Sequence, residues 1–382
     1  MAEFTIPKGV AAVLDRIHAA GYEGYLVGGC VRDYLMGIPP HDYDITTSAL
    51  PEELLCVFAG ERVIETGLQH GTVTVLTADG PVEVTTYRMD GTYSDHRHPD
   101  HVTFTRCLRE DLARRDFTVN AMAMDRSGVI DLFGGRQDLQ AGVLRCVGEA
   151  DRRFEEDALR ILRGLRFSAR FGFPLEKETA AAVERKKRLL REIARERIFA
   201  ELGGLLLGTH AAEVLAKYGT VLKVALPQLC TEEAARAALS RCPAELSLRM
   251  ACLLEPSTAE EALRSLKVSN RLFRDVTFLV REKEKVCPAV RREVHLRCVE
   301  YGIEPFLMLC RFQHNAAAEA LALSLAEEGA CLSLKDLAVN GRDLAALGLR
   351  GPEIGEKLEF LLEAVIRERV PNQRQALLEL LS

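Results

Sequence analysis

The sequence predicts an α+β head followed by an all-helical remainder. Strand-like runs occur within about the first 140 of the 382 residues, at GYLVGG, HDYDITT, GTVTVLT, VEVTTYR and VTFT. After about residue 142, β-branched runs become rare, and apolar residues return every three to four positions, as in DALRILRGLRFSARFGF. The chain also exceeds the roughly 250–300 residues at which a single hydrophobic core stops growing, so we expect several domains.

We divide the predicted fold into a head and three helical parts. No internal repeat, low-complexity tract or long Gly/Ser linker marks the divisions, so they rest on where the strand patterns stop and on isolated Gly and Pro breaks. The predicted parts are a head at 1–142, a neck at 143–200, a body at 201–262 and a tail at 263–382.

Composition argues against several classes of protein. No stretch approaches the ~18 consecutive apolar residues of a membrane span, and the N-terminus lacks the basic-then-apolar order of a signal peptide. The eleven cysteines form no C-x-x-C pair and mostly lie among apolar residues, as Cys146, Cys252 and Cys310 do. This pattern is typical of reduced, buried thiols. We therefore expect a cytoplasmic protein with no membrane partner and no zinc site.

Positive charge is concentrated in two windows, although the net charge is −6. Residues 151–200 contain 14 Lys and Arg against 9 Asp and Glu, and residues 264–297 contain 10 against 4. Each window could follow the phosphates of a nucleic acid, or it could be a solvated helix face. Composition alone leaves both interpretations open.

The most informative short segment is Leu26–Ile45, which reads LVGGCVRDYLMGIPPHDYDI. In a strand, Asp42 and Asp44 would lie on one face and Tyr43 and Ile45 on the other. Two neighbouring carboxylates repel each other, so the pair favours a bound cation. Paired oxygen ligands on a strand suit Mg²⁺ with substrate phosphates. The alternative is a polar turn in which an aspartate caps a helix.

Two glycines upstream support a phosphate site. Gly28 and Gly29 follow a short strand pattern and precede a helical one, so their backbone N–H groups could approach an anion at the N-terminus of a helix. Arg32 would lie in the first turn, where its guanidinium could bind phosphate oxygens. Glu83, flanked by valines in a strand pattern, offers a third carboxylate, although alone it would be taken for an exposed strand residue.

These motifs resemble the nucleotidyltransferase superfamily that includes DNA polymerase beta, in the branch containing class II CCA-adding tRNA nucleotidyltransferases and bacterial poly(A) polymerases. The resemblance runs in order from residue 26 to residue 173. Further motifs that carry it are TGLQHGTVTV, VEVTTYRMDGTYSDHRHPD, EDLARRDFTVNAMAMD, GVIDLFGGRQDL and RFEEDALRILRGLRFSARFGF. It implies a polymerase-beta-like head with a mixed sheet, followed by a helical neck, body and tail.

The resemblance assigns roles to the head residues. It implies that Asp42 and Asp44 hold the catalytic metal ions, with Mg²⁺ as the cofactor and Glu83 as the third acidic residue. One ion would activate the attacking 3′-hydroxyl of RNA, and the other would steady the leaving pyrophosphate. Gly29 and Arg32 resemble the triphosphate contacts of the family, and Gly28 belongs to the same glycine turn.

The run RRDFTVN matches a further family motif. Arg115 would contact a nucleotide phosphate, while Asp116 and Asn120 would lie on the ribose side. For an isolated run of this kind, a capped amphipathic helix with surface arginines would be the simpler interpretation.

The nucleobase is expected to be read by EDALR. Asp157 and Arg160, three residues apart, would share a helix face, where a carboxylate can accept from an amino group and a guanidinium can donate to ring acceptors. This would select cytosine or adenine. The alternative is an intrahelical salt bridge. Arg163 and Arg166 continue in three-residue steps and, by resemblance, belong to the nucleotide-binding set, unless they form only a solvated basic stripe.

The resemblance implies addition of CCA to the 3′ ends of tRNA from CTP and ATP. The expected partners are the tRNA acceptor end, which the two basic windows would meet, and the two nucleotides. No obligate protein partner is evident.

Three related activities are the alternatives. A bacterial poly(A) polymerase is disfavoured by EEDALR and by the C-terminal segment LKDLAVNGRDLAALGLRGPEIG, which is similar to the tail of CCA-adding enzymes. A CC-adding enzyme is disfavoured by Arg88–Pro99, which resembles the loop that switches complete enzymes from C to A. An A-adding enzyme remains open. A silent RNA-binding relative would need to lack a matched residue, and all of them are present.

Overall fold

The computed structural model describes residues 6–91 and 102–381 and confirms the predicted fold class. A mixed seven-stranded sheet lies in the N-terminal part, and among the described residues after Asp131 the assigned elements are helices. None of the described helices is long and apolar enough to cross a membrane. Most of the predicted switching loop at Arg88–Pro99 lies outside the described residues.

Strands and helices are interspersed along the N-terminal part of the chain. The strands are β1 Gly24–Val27, β2 Asp44–Thr47, β3 Val63–Ile64, β4 Thr72–Thr77, β5 Gly80–Thr86, β6 Arg88–Asp90, β7 Val102–Phe104, β8 Met122–Asp125 and β9 Gly128–Asp131. The first helices are α1 Lys8–Ala19, α2 Gly29–Leu35, α3 Pro51–Val57, α4 Leu108–Ala113, α5 Gly135–Ala141, α6 Ala150–Glu156, α7 Leu159–Phe171, α8 Lys177–Lys186, α9 Arg195–Leu206 and α10 Ala211–Ala225.

The helices continue to the end of the described chain. They are α11 Glu233–Arg241, α12 Leu246–Cys252, α13 Ala259–Ser265, α14 Asn270–Glu282, α15 Arg291–Tyr301, α16 Ile303–Phe312, α17 Ala316–Glu327, α18 Gly341–Ala346, α19 Pro352–Ile366 and α20 Arg374–Glu379. Short 3-10 turns occur at Leu68–His70, Thr118–Asn120, Lys187–Glu192 and Leu334–Asp336.

The large sheet has the strand order β3-β4-β5-β2-β1-β8-β9. Strands β2 and β5 run parallel, while the other neighbouring pairs of this sheet run antiparallel. Parallel neighbours require a crossover, and here α3, β3 and β4 supply it between β2 and β5. Strand β2 is therefore central, and residues at its start lie beside residues that come much later in the sequence.

The head core lies on one side of this sheet. Leu26, Ile45, Val73 and Val84 contribute fully buried side chains from four neighbouring strands, and Ile17 of α1 packs against the same cluster. Burial of such large aliphatic side chains is worth about 1.5–3 kcal/mol each. The opposite side of the sheet carries a smaller apolar cluster, in which Val27, Leu112 and Ala123 are buried.

Helix α7 packs against α9 and α10, and it meets the head at Gly164 and Phe167. Leu159, Leu162 and Leu165 are all buried, which confirms the predicted apolar face. Gly164 permits the close approach, because a Cβ atom there would lie 2.8 Å from Cζ of Phe117. Arg163 and Phe167 of α7 are thereby held next to the head, where they contact Asp116 and Phe117.

The chain divides into two compact units, one up to Glu233 and one from Ala234 onward. The predicted boundary at 142 coincides with the end of α5, whose C-cap is Gly142. The predicted boundaries at 200 and 262 instead fall inside α9 and α13. Apolar periodicity runs through both helices, so the sequence pattern itself indicated that neither position is a break between helices.

A buried acid organises the second unit. Glu282 is buried, accepts a hydrogen bond from the Tyr301 hydroxyl at 2.7 Å, and pairs with Lys285 and Arg281 at 2.8 Å. Burial alone would raise the pKa of Glu282, but hydrogen bonds from Lys285, Tyr301 and Arg281 lower it to about 2. The carboxylate is therefore ionised at neutral pH and ties α15 to the end of α14.

Candidate active site

Asp44 and Glu83 lie side by side where β2 meets β5. The two strands run parallel with Asp44 opposite Glu83, and in-register neighbours present their side chains on the same face of a sheet. Ile45 is buried in the core, and Tyr43 packs against that core. The alternation predicted for Asp44 and Ile45 is therefore observed, with Asp44 and Glu83 on the side away from the core, whereas Asp42 lies before the strand begins.

The charges around Asp44 form one electrostatic cluster. The surrounding protein atoms desolvate its carboxyl and raise its pKa, Arg115 lowers that pKa, and the charges of Glu83 and Asp42 raise it again, so that the net shift is upward. Asp42 precedes β2 and is exposed, with its Oδ1 atom 2.9 Å from Nδ1 of His41. A divalent cation would relieve the repulsion, so this oxygen-only donor set fits a hard metal ion.

No three His, Cys, Asp or Glu side chains within residues 6–91 and 102–381 already converge as a metal site. The argument that a divalent cation fits this site therefore rests on the oxygen ligands that the carboxylates offer and on the repulsion between their charges.

The predicted glycine turn joins β1 to α2. Gly28 follows the last residue of β1 and adopts φ 78° and ψ −128°, a conformation that side-chain-bearing residues rarely adopt. A Cβ atom at Gly28 would also lie 3.2 Å from Nη1 of Arg115. Gly29 begins α2, as the sequence predicted. Backbone and guanidinium can thus approach each other here only because Gly28 has no side chain.

Arg115 lies between this turn and the carboxylates. Its Nη2 atom donates to Oδ2 of Asp111 at 3.3 Å, while its Nε atom is buried and has no hydrogen-bond partner among the described residues. Asp111 is fully buried and also accepts from Thr46 of β2 at 3.0 Å and from Nε of Arg114 at 2.9 Å. Asp111 therefore positions the guanidinium of Arg115 near the start of β2.

Arg32 is buried in the structure. Its Nε and Nη2 atoms donate to Oδ1 of Asp33 at 2.8 and 2.6 Å, and its Nη1 atom donates to Oδ1 of Asn120 at 2.6 Å. The guanidinium carbon lies 5.3 Å from the ring centroid of Phe167 and 4.8 Å from that of Phe171. Arg32 is in the first turn of α2, as predicted, but its donors are engaged with protein atoms.

Asp116 and Asn120 connect Arg32 to α7. Oδ1 of Asp116 accepts from Nδ2 of Asn120 at 3.1 Å, and Oδ2 accepts from Nε of Arg163 at 2.8 Å. Burial alone would raise the pKa of Asp116, but Arg163 and Asn120 lower it to about 2. A continuous polar chain therefore runs from Arg32 through Asn120 and Asp116 to Arg163.

The structure corrects the prediction that Asp157 and Arg160 share one helix face. Asp157 ends α6 with φ −142° and ψ 102°, and α7 begins at Leu159. Oδ1 of Asp157 accepts the backbone N–H of Leu159 at 3.0 Å, and Oδ2 accepts Nη2 of Arg197 at 2.8 Å. A short acidic side chain that bonds the backbone two residues ahead competes with helix formation, which explains the break.

Arg160 lies on α7 and is buried. Its Nη1 atom donates to Oε2 of Glu156 at 2.8 Å and to the carbonyl of Arg153 at 3.2 Å, and its Nη2 atom donates to the carbonyl of Arg114 at 3.0 Å. The guanidinium thus ties α6 and α7 to the segment after α4. The alternative considered from the sequence was an intrahelical salt bridge between Asp157 and Arg160. In the structure, Arg160 instead pairs with Glu156 across the helix break.

Arg163 and Arg166 lie along α7 with acidic partners. Nε of Arg166 donates to Oε2 of Glu201 at 2.5 Å, and Arg163 lies 3.7 Å from the other carboxylate oxygen of Glu201. Both guanidinium carbons lie over the ring of Phe167, at 5.5 and 4.5 Å from its centroid. The basic ridge predicted from three-residue steps is therefore a partly neutralised surface with fixed side-chain positions.

Three site residues escaped the sequence interpretation. Asp111, Arg197 and Glu201 each hold an arginine or aspartate that the sequence had singled out. Arg197 and Glu201 are four residues apart in RERIFAE, a spacing that places them on one side of α9, and this was an available signal. For Asp111, the spacing of three and four residues to Arg114 and Arg115 was also an available signal, and only its bond from Thr46 of β2 could not be read from local sequence.

Three family models match successive parts of the chain. The Poly A polymerase head domain matches residues 24–145, the probable RNA and SrmB-binding site of polymerase A matches residues 172–231, and the putative tRNA nucleotidyltransferase domain 2 matches residues 244–381. The gap between the last two spans the division of the chain at Glu233 and Ala234.

Curated relatives match over nearly the whole length. The CCA-adding enzyme of Lactiplantibacillus plantarum is 40% identical over 99% of this chain and 96% of its own length. The chain belongs to the family of CCA-adding enzymes. Another member, from Enterococcus faecalis, is 38% identical over 98% of this chain and 96% of its own length.

This chain also has the same fold as a solved CCA-adding enzyme. The crystal structure of the Bacillus stearothermophilus CCA-adding enzyme in complex with CTP superposes with a TM-score of 0.84 at 31% identity, and the match covers 98% of each chain. The resemblance inferred from the head motifs is therefore confirmed, and it extends beyond those motifs to the helical remainder.

Proposed function

We propose that this protein adds CCA to the 3′ ends of tRNA, using CTP and ATP and releasing pyrophosphate. The observation that carries the proposal is the position of Asp44 beside Glu83, with Arg115 between these carboxylates and the glycine turn. This arrangement suits the transfer of a nucleotidyl group, since carboxylates that hold cations lie next to a guanidinium that can hold phosphates. The full-length similarity to CCA-adding enzymes supports the choice of tRNA, CTP and ATP.

We assign the metal site to Asp42 and Asp44, with Glu83 as the third acidic residue and Mg²⁺ as the ion. Two such ions, when bound, lower the pKa of the attacking 3′-hydroxyl and neutralise charge on the leaving pyrophosphate. The upward pKa shift of Asp44 supports this assignment, because a carboxylate repelled by its neighbours gains from a cation.

The triphosphate would be held by the glycine turn and by arginines. Gly28 and Gly29 leave room for phosphate oxygens near the backbone, and Arg115 has a buried Nε atom with no protein partner among the described residues. Arg32 contributes its charge from a position fixed by Asp33 and would direct a donor to phosphate only by exchanging a present partner.

The nucleobase would be read by Asp157 and Arg160 on either side of the break between α6 and α7. Asp157 is held by Arg197, so its carboxylate has a fixed direction, and Arg160 is held by three oxygen acceptors. Arg163 and Arg166 complete the nucleotide-binding set at the next turns of α7.

The tRNA would be bound through the exposed arginines of the two basic windows. Many cations of these windows are paired, as in Arg185 with Asp151, Lys187 with Glu184, Arg264 with Glu260, Lys285 with Glu282 and Arg297 with Glu300. Arg188, Arg191, Arg274 and Arg292 are exposed and suit phosphate contacts. Such a protein would act in the cytoplasm.

The decisive experiment uses three tRNA substrates that end before the first C, before the second C and before the terminal A. Sequencing of the product 3′ ends after incubation with Mg²⁺, CTP and ATP should show completion to CCA from all three. Extension of only the last substrate would indicate an A-adding enzyme, arrest after CC would indicate a CC-adding enzyme, and long adenosine tracts would indicate a poly(A) polymerase. No incorporation would refute an enzymatic function.

A further inference from the structure

Two cysteines of the second unit lie in sulfur contact. Cys287 is in the loop after α14, Cys310 is on α16, and their Sγ atoms are 4.0 Å apart. Both side chains are buried, and the residues are 23 positions apart in the sequence. We propose that Cys287 and Cys310 form a reversible disulfide when the protein meets a hydroperoxide, so that this dithiol is an oxidative modification site.

The side chain of Gln313 holds the loop against the end of α16. Oε1 of Gln313, at the end of α16, accepts the backbone N–H of Cys287 at 3.0 Å. Nε2 of the same residue donates to the carbonyls of Lys283 and Lys285 at 3.2 and 2.5 Å. Gln313 therefore fixes the loop on both sides of its turn and brings the two sulfur atoms together.

The sulfur atoms need to approach by about 2 Å to form a disulfide bond. The loop can supply this movement from its exposed side, since Val286 is 88% exposed and Val290 is 58% exposed. Cys310 lies within a packed helix and would remain in place. The bond can thus form by a displacement of the loop alone.

A small oxidant can reach Cys287 through an adjoining pocket of about 630 Å³. The pocket is lined by Cys287 itself, by apolar residues of the loop, and by Leu296 and Arg297 of α15. Cys298, in contrast, is buried on α15 and is not among the residues lining this pocket. The pocket therefore exposes one member of the dithiol to a hydroperoxide.

The two thiols differ in their readiness to ionise. The hydrogen bond from Cys310 lowers the pKa of Cys287, burial opposes that shift, and the charge of Arg297 lowers the pKa further, leaving it below the ordinary value. The same hydrogen bond and burial raise the pKa of Cys310. Burial also raises the pKa of Cys298, to about 11. Because Cys287 lines the pocket that the oxidant enters and lies near the positive charge of Arg297, it is the thiol that attacks, in its nucleophilic thiolate form.

The chemistry balances in two steps. With hydrogen peroxide as the oxidant, the thiolate of Cys287 attacks one oxygen, the O–O bond breaks, and a sulfenic acid and hydroxide form, with the hydroxide taking a proton to give water. The sulfur of Cys310 then attacks the sulfenic sulfur, the S–S bond forms, the S–O bond breaks, and the released hydroxide takes the thiol proton of Cys310. The two sulfur atoms together lose two electrons, and the peroxide becomes two waters.

Peptide mapping tests the proposal on the full-length protein. The protein is treated with a small excess of hydrogen peroxide, free thiols are blocked with iodoacetamide, and tryptic peptides are sequenced by mass spectrometry. Cleavage after lysine and arginine places Cys287 in peptide 286–291 and both Cys298 and Cys310 in peptide 298–311, so fragmentation identifies the partner. We expect a Cys287–Cys310 link that dithiothreitol removes, with Cys298 alkylated.

Variants separate the linked pair from its surroundings. Cys287→Ser and Cys310→Ser should each abolish the link between the two peptides, whereas Cys298→Ser should retain it. Gln313→Ala keeps both thiols but releases the loop, and should slow formation of the link. In the wild-type protein, the linked form should also show a higher thermal denaturation midpoint than the reduced form, because a cross-link constrains the unfolded chain.

Two results would overturn the proposal. One is the absence of the link at a peroxide concentration that already oxidises the exposed thiols of Cys56 and Cys107. The other is a link from Cys287 to Cys298 in place of Cys310. An unchanged rate in Gln313→Ala would contradict the claim that this side chain sets the sulfur geometry. These measurements report the oxidation state of the cysteines. Their outcome therefore does not depend on whether the protein adds nucleotides.

Discussion

Asp44→Asn is expected to remove nucleotide addition without weakening the fold. The raised pKa of Asp44 means that its ionised form is disfavoured in the folded protein by desolvation and by the charges of Glu83 and Asp42. At neutral pH the ionised carboxylate of Asp44 therefore destabilises the folded protein. The uncharged asparagine side chain, which has the same shape, removes this destabilisation. Asp44 keeps contact with solvent, and screening holds the gain in the free energy of unfolding below about 1 kcal/mol. Loss of a metal ligand should lower the rate of addition by about 1,000-fold or more.

Asp111→Asn is the matched control, because the same chemical change should have the opposite effect on stability. Burial alone would raise the pKa of Asp111, but Arg114 and Arg115 bring it below its ordinary value. The ionised form therefore stabilises the folded protein at neutral pH. Asp111 is fully buried, and removal of one partner from a buried ion pair costs about 3 kcal/mol.

Urea denaturation followed by circular dichroism at pH 7 compares the two variants, and incorporation of labelled CTP measures activity. The wild-type protein and both variants are also tested for tRNA binding, which Asp44→Asn should leave nearly intact. A loss of more than about 1 kcal/mol in Asp44→Asn, or no loss in Asp111→Asn, would refute this account of the charges.

Three further predictions concern other parts of the molecule. Asp157→Ala should admit UTP or GTP in competition assays, and unchanged selectivity for CTP and ATP would contradict its base-reading role. Arg274→Ala and Arg292→Ala should each weaken tRNA binding and reduce its steep decline between about 50 and 200 mM salt, whereas the exposed Arg350 outside the basic windows should tolerate the same change. Glu282→Gln should destabilise the protein by about 1–3 kcal/mol at pH 7, because the amide loses the charge to which Tyr301, Lys285 and Arg281 donate. Because the pKa of Glu282 is lowered from 4.5 to about 2, this difference should shrink as the pH falls through that interval, which urea titrations at several pH values would measure.

Local patterns were sufficient for much of the head. The alternation around Asp44 predicted which side chains enter the core, because successive side chains of a strand point to opposite faces of the sheet. Gly28 was predicted to begin a turn into a helix, and its positive φ shows why glycine is needed there. The apolar face of α7 was likewise predicted, since Leu159 and Leu162 repeat at helical spacing.

The break at Asp157 shows where periodicity fails as a guide. Helices α6 and α7 both carry apolar residues at helical intervals, so their joined pattern looks like one helix. The side chain of Asp157 bonds the backbone of Leu159 and the guanidinium of Arg197, and these contacts favour an extended residue between the helices. The predicted boundary at 200 lies inside α9 for a related reason, because apolar spacing reports helix faces and not domain limits.

Residue type and spacing along the chain thus established the carboxylate pair, the glycine turn and the series of arginines, since these depend on the local geometry of strands and helices. The pairing of Asp44 with Glu83 depends on the order of β2 and β5, and the burial of Arg32 between Phe167 and Phe171 depends on how α7 packs against the head. Such contacts join residues far apart in the sequence. They follow from the packing of whole elements, for which no short segment carries the information.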